Sequence, residues 1–135
     1  MLITRASEYA ILSLILLSKA NKPQDSETLS RELSISKSFL AKILQSLAKQ
    51  NILKSFKGVN GGFVLTSNAK DISMLDIITC VEGKNPAVFD CASSTEDCPS
   101  DKASICSIWP FLNRLQGKID SFLAELTLAD ILEED

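Results

Sequence analysis

Three cysteines, Cys91, Cys98 and Cys106, are separated by six and seven residues in a stretch with no helix or strand pattern. Thiolates brought together in one loop can close around a metal cluster. The stretch lacks a C-x2-C pair and the chain has no histidine, so a structural zinc site is not favoured. An iron–sulfur cluster ordinarily takes four protein ligands. Cys80 is a fourth sulfur, but it lies in an apolar helical segment and reads as core, which leaves an oxygen for the fourth position. A thiol-redox switch and plain loop cysteines are the other readings that the spacing leaves open. A structural disulfide is not expected in a reducing compartment. The missing histidine also removes Ser-His-Asp and Cys-His catalysis. A nuclease would need clustered metal-binding carboxylates, and the acids here are scattered. The chain does not read as an enzyme.

A second chemistry lies in the charge distribution. The formal charge is −3, yet residues 33–70 carry six lysines and no acid. Residues 71–135 carry four bases and thirteen acids. A purely basic stretch inside an acidic protein can supply the phosphate-binding term for nucleic acid. An ordinary solvated face is the plainer alternative.

The elements that must position these groups follow from periodicity. The 135 residues, 45% of them apolar, suit one compact domain or one domain with an appendage. The spacing predicts a first helix from about Thr4 to Asn21, with Ala6, Tyr9, Ala10, Leu14 and Leu17 on one side, ended by Asn21-Lys-Pro23. Ser26 is an N-cap candidate for a second helix, Glu27 to Leu33. Ser36 caps a third, with Phe39, Leu40, Ile43, Leu44 and Leu47 on one side. Two helices so closely joined are a helix-turn-helix signature. Ile52 to Phe56 and Phe63 to Thr66 read as strands around a glycine-rich turn. A phosphate-cradling loop is rejected, because Phe-Val-Leu-Thr and not a helix follows the glycines. Ser73 caps a fourth helix through Val81, with Met74, Ile77, Ile78 and Val81 as its buried face. The last long helix starts near Ser107, with Pro110 in its first turn. Ile108, Leu112, Leu115, Ile119, Phe122 and Leu126 form a heptad seam. Packing on the chain's own core is one reading. Pairing with a second subunit is the one expected, because a small domain built around four helices has limited surface for it. Thr127 caps a final short turn through Leu132.

The fold class expected is mainly α with a small β-hairpin wing. A winged helix-turn-helix domain spans residues 1–82, a cysteine sensor loop 83–106, and a dimerisation helix with an acidic tail 107–135. The second helix of such a motif lies in the major groove with its N-terminal residues at the bases. Those residues are Ser36, Lys37, Ser38, Phe39 and Lys42, although an aromatic at helical spacing such as Phe39 is more often core than base contact. Lys54, Lys57 and Asn60 of the hairpin reach phosphates or the minor groove. A winged helix used only for protein contacts is the rival, but it leaves the lysines unexplained. The longest apolar run near the start, Ala10 to Leu17, falls short of the roughly 20 residues that cross a bilayer. No signal peptide is recognised, and a cytoplasmic protein is expected.

The order of motifs resembles the Rrf-two-type family of bacterial winged-helix regulators. The matching pieces are Glu8-Tyr9-Ala10, Ile35-Ser-Lys-Ser-Phe-Leu40, Lys57-Gly-Val-Asn-Gly-Gly-Phe63, Val81-Glu82-Gly83 before the cysteines, Trp109 after them, and Leu126-Thr-Leu-Ala-Asp130. The resemblance implies a homodimer with crossed C-terminal helices on a roughly palindromic double-stranded operator. It implies that Cys91, Cys98 and Cys106 bind an iron–sulfur cluster of the 2Fe–2S or 4Fe–4S type. Some members use a histidine three residues after the last cysteine, where this chain has Trp109. Others use a carboxylate of the partner's first helix just before Tyr-Ala, which here is Glu8, so Glu8 is the fourth ligand expected. A plain surface acid paired with Arg5 is the alternative for Glu8. Two positions depart from the family pattern: Ala41 stands where an acid is common, and Lys57 where arginine is common. Arg and Lys read guanine differently, so these departures bear on the operator sequence.

Overall fold

The computed structural model describes residues 3–84, 86 and 108–134. Helix α1 runs Arg5–Lys19, α2 Ser26–Leu33 and α3 Lys37–Lys49. Strands β1, Leu53–Phe56, and β2, Gly62–Leu65, pair antiparallel with Leu53 opposite Leu65 and Phe56 opposite Gly62. A short 3-10 turn, Ala69–Asp71, leads to α4, Met74–Glu82. Helices α5, Trp109–Glu125, and α6, Leu128–Glu134, complete the order. The fold is mainly helical with one two-stranded hairpin, as the sequence predicts.

Local side chains set the boundaries. Thr4 caps α1, Ser36 caps α3 and Ser73 caps α4, each accepting from a backbone N–H three residues on. The cap of α2 is Asp25 and not Ser26: its carboxylate accepts the Thr28 N–H at 2.8 Å. A carboxylate at a helix N-terminus also meets the positive end of the helix dipole, which favours it over the neighbouring hydroxyl. Hydrogen bonding from Thr28, by its side chain first and its backbone N–H second, holds the Asp25 carboxyl below its ordinary range. Thr127 and Asp130 reciprocate at the head of α6, where the Thr127 N–H donates to Asp130 at 2.9 Å and the Asp130 N–H to Thr127 Oγ1 at 3.3 Å.

One core joins all six helices and β1. It centres on Leu14, Leu29, Leu40, Leu44, Leu47, Leu53, Ile77, Ile78 and Leu128, all at 1% exposure or less. The C-terminal segment belongs to this core. Leu123 of α5 is buried in it, and the α5–α6 connection is clamped to the start of α4 by the Met74 N–H to Leu126 carbonyl and Leu128 N–H to Ile72 carbonyl bonds, both 2.8 Å. The heptad seam is consequently split. Ile119, Leu123 and Leu126 face the protomer's own core, whereas Ile108, Phe111, Leu115 and Phe122 are exposed. At 3.6 residues per turn these four fall on a stripe beside the core-facing one. The seam predicted from spacing therefore mixes residues of two adjacent stripes.

Candidate nucleic-acid interface and sensor residues

Helix α3 packs through Leu40, Ile43, Leu44 and Leu47 and leaves Ser36, Lys37, Ser38 and Lys42 exposed. Its first turn holds no acid, so the positive end of its dipole adds to the lysine charge. Ser36 Oγ and Ser38 Oγ lie 2.9 Å apart. Lys37 approaches Glu27 of α2 at 4.0 Å with both side chains solvated, a pairing weak enough for a phosphate to displace. Phe39 is packed on one side and open on the other. Its ring meets Tyr9 of α1 edge-on, with centroids 5.8 Å apart and planes at 83°, yet 39% of the residue remains exposed.

The hairpin stands beside α3 and carries Lys54, Lys57 and Asn60, all exposed. Lys54 Nζ sits 5.2 Å from the centroid of the Phe56 ring, which steadies the ammonium on the outer face of β1. The wing is fixed to the body by a contact absent from the sequence reading. Gln24, between α1 and α2, exchanges two backbone hydrogen bonds with Phe63 of β2, at 2.8 and 3.2 Å. Gly62 permits this approach: its φ is +141° and a Cβ there would meet the Gln24 carbonyl carbon at 2.5 Å. The residues predicted from α3 and the wing are thus exposed on two elements that pack against each other, α3 and the hairpin.

Cys91, Cys98 and Cys106 lie outside the described residues. Among the described residues no group of three or more histidine, cysteine, aspartate or glutamate side chains is placed to hold a metal ion. Glu8 projects from the first turn of α1 with 56% of its side chain exposed, and approaches Arg5 at 4.0 Å. The carboxylate of Glu82, at the end of α4, accepts hydrogen bonds from Thr4 Oγ1 and from buried Ser7 Oγ, the latter at 3.1 Å. This ties the turn that carries Glu8 to the helix that leads into the cysteine stretch. The partners are more than 70 residues apart in sequence, and no sequence signal joins them. Cys80 is half-buried, and its thiol donates to the Ser46 carbonyl at 3.1 Å. It lines a cleft of about 610 Å³ beside Asn51, Asp71 and Asp76, and burial raises its pKa. It packs against the core, as the sequence suggests, from a half-buried position at the cleft wall.

Helix, helix and basic hairpin in this arrangement define a winged-helix protein. The Rrf2 family pattern, an iron-dependent transcriptional regulator, matches residues 3–134. The chain belongs to the Rrf2 family and is a transcriptional regulator, not an enzyme. It is similar to YffB of Lactococcus lactis, 31% identical over 131 residues, covering 95% of this chain and 83% of that protein. It is similar to the transcriptional regulator IscR of Vibrio atlanticus, 25% identical over 142 residues, covering 100% of this chain and 77% of that protein. In fold it matches the structure of CymR, the global cysteine regulator of B. subtilis, with a TM-score of 0.76 at 23% identity, covering 100% of this chain and 98% of the other. None of the described helices is long and apolar enough to cross a membrane.

Proposed function

We propose that this chain binds a double-stranded DNA operator as a homodimer, and that an iron–sulfur cluster controls the binding. The observation that carries the DNA reading is that Ser36, Lys37, Ser38, Phe39 and Lys42 of α3, and Lys54, Lys57 and Asn60 of the hairpin packed beside it, are all exposed. The α3 residues meet base edges and the wing lysines meet flanking phosphates. The dimer reading rests on α5. Ile108, Phe111 and Phe122 are 58%, 56% and 60% exposed along one stripe, a surface that a second copy's α5 covers. In this scheme residues 1–82 read DNA, 83–106 sense, and 107–135 join the protomers while completing each core.

The donor set fits a cluster: Cys91, Cys98 and Cys106 supply three thiolates and Glu8 of the opposite protomer a carboxylate. Bound there, an iron–sulfur cluster supplies a crosslink that oxidants and nitric oxide destroy. The chain's own residues carry the consequence. Glu82 holds the first turn of α1 through Thr4 and Ser7. Tyr9, next to Glu8, leans on Phe39 at the head of α3. A shift of that turn therefore bears on the recognition helix. A near-complete switch needs the two states to differ by about 5.5 kcal/mol in operator affinity.

The test is a visible spectrum with iron and sulfide analysis of protein purified without oxygen. Anisotropy titration of loaded and stripped protein against a duplex selected from a random-sequence library follows. A coloured protein, bleached in the Glu8→Ala variant and different from stripped protein in affinity, supports the reading. A colourless protein after reconstitution leaves a thiol-redox switch as the reading for the cysteines. Equal affinities of loaded and stripped protein refute control by the cluster.

A further inference from the structure

We infer that the cleft between the wing tip and the α1–α2 connection seats the operator's sugar–phosphate backbone, with Lys22 meeting a phosphate and Val59 a deoxyribose face. The inference rests on the DNA-binding reading and extends the interface to two residues outside the recognition helix and the basic wing set. The cleft holds about 430 Å³ between Lys22, Pro23, Gln24 and Thr28 on one wall and Val59 and Asn60 on the other. Val59 is the most exposed large apolar side chain among the described residues, at 103%. A single exposed valine is ordinary on a protein surface. This one stands between Lys57 and Asn60, at the mouth of a cleft whose opposite wall carries an exposed lysine.

That pairing of chemistries fits a sugar–phosphate strand, which alternates an anionic phosphate with the apolar C–H face of deoxyribose. Apolar side chains and cations are used together where proteins enter a minor groove. Asp25 also lines the cleft, but its carboxylate is engaged by the first turn of α2, accepting the Thr28 N–H at 2.8 Å. The cleft is preorganised: the two Gln24–Phe63 bonds set its width, and the Gly61 N–H to Gly58 carbonyl bond, 3.0 Å, closes the tip that presents Val59. It is continuous with the proposed interface, because Asn60 belongs to both.

The experiment uses the full-length protein and the duplex selected from a random library by the wild type. For Lys22→Ala, the slope of log affinity against log salt becomes shallower by about 0.9, the release expected for one lost phosphate contact. Affinity falls several-fold on the selected and a scrambled duplex alike. For Val59→Asp, hydroxyl-radical footprinting loses protection at the outer edges of the site and keeps it at the centre. Both side chains are solvent-facing, and unchanged thermal melts certify folding; Lys22→Glu repeats the first test with a larger loss. A wild-type slope in both Lys22 variants, with a wild-type footprint in Val59→Asp, overturns the inference while leaving the DNA-binding reading intact. A wild-type protein that binds no duplex overturns both.

Discussion

Replacing Gly62 by alanine tests how the wing is held. The residue has φ +141°, and the added Cβ would lie 2.5 Å from the Gln24 carbonyl carbon, 2.6 Å from its oxygen and 2.9 Å from Asp25 N. All three neighbours are backbone, so no side chain can swing aside. Two outcomes are open to the chain, and both cost stability. Keeping the geometry forces alanine into a backbone region that L-residues rarely adopt, a strain of roughly 1 to 3 kcal/mol. Parting β2 from the α1–α2 connection gives up the two Gln24–Phe63 bonds, each worth about 1 kcal/mol net. Gly62→Ala should therefore lose about 1 to 3 kcal/mol, a sizeable share of the roughly 5 to 15 kcal/mol that stabilises a typical domain. Urea denaturation gives the loss. Hydrogen exchange at the Gln24 and Phe63 amides separates strain from parting. A loss below about 0.5 kcal/mol with both amides still protected would refute the close-approach argument.

Glutamate at Leu115 or Phe122 places a charge on the exposed stripe of α5 without touching the protomer's core; sedimentation should show monomers with native helicity, whereas a wild type already monomeric at micromolar concentration sinks the dimer reading. Asp25→Ala removes the α2 cap and should cost about 1 kcal/mol near neutral pH. The Asp25 carboxyl is depressed in the folded state, so its stabilisation is present above the ordinary carboxylate pKa and fades as pH falls through the lowered value. The difference between wild type and Asp25→Ala in denaturation curves should therefore shrink in acid, and a pH-independent difference contradicts the linkage. Burial raises the Cys80 pKa, and the thiolate is the reactive form, so iodoacetamide at neutral pH should label Cys80 slowly by peptide mass spectrometry; rapid labelling there argues against the half-buried placement.

Much of the fold was legible because its signals are local. Ser36 and Ser73 act within one helical turn, and the wing follows from the glycines between Phe56 and Phe63. The apolar stripe of α3 is a period that any window of the sequence reveals. Where two local signals competed, the reading slipped: Asp25 and Ser26 are adjacent, and only the carboxylate's bond to the Thr28 N–H decides between them. The α5 seam splits for a different reason. Ile108, Leu112, Leu115, Ile119, Phe122 and Leu126 satisfy a heptad, but periodicity records that a face is apolar and not what covers it.

By itself the sequence determined the winged-helix order, the basic surface on α3 and the hairpin, and the membership that its joint motifs imply. These depend on short-range propensity and charge, which each residue carries with it. Only the tertiary structure decided that Glu82 holds the turn bearing Glu8, that Gln24 fixes the wing through Phe63, and that α5 splits into an inward and an outward stripe. Those contacts join residues tens of positions apart, and a pairing at that separation exists only once the core has brought the helices together.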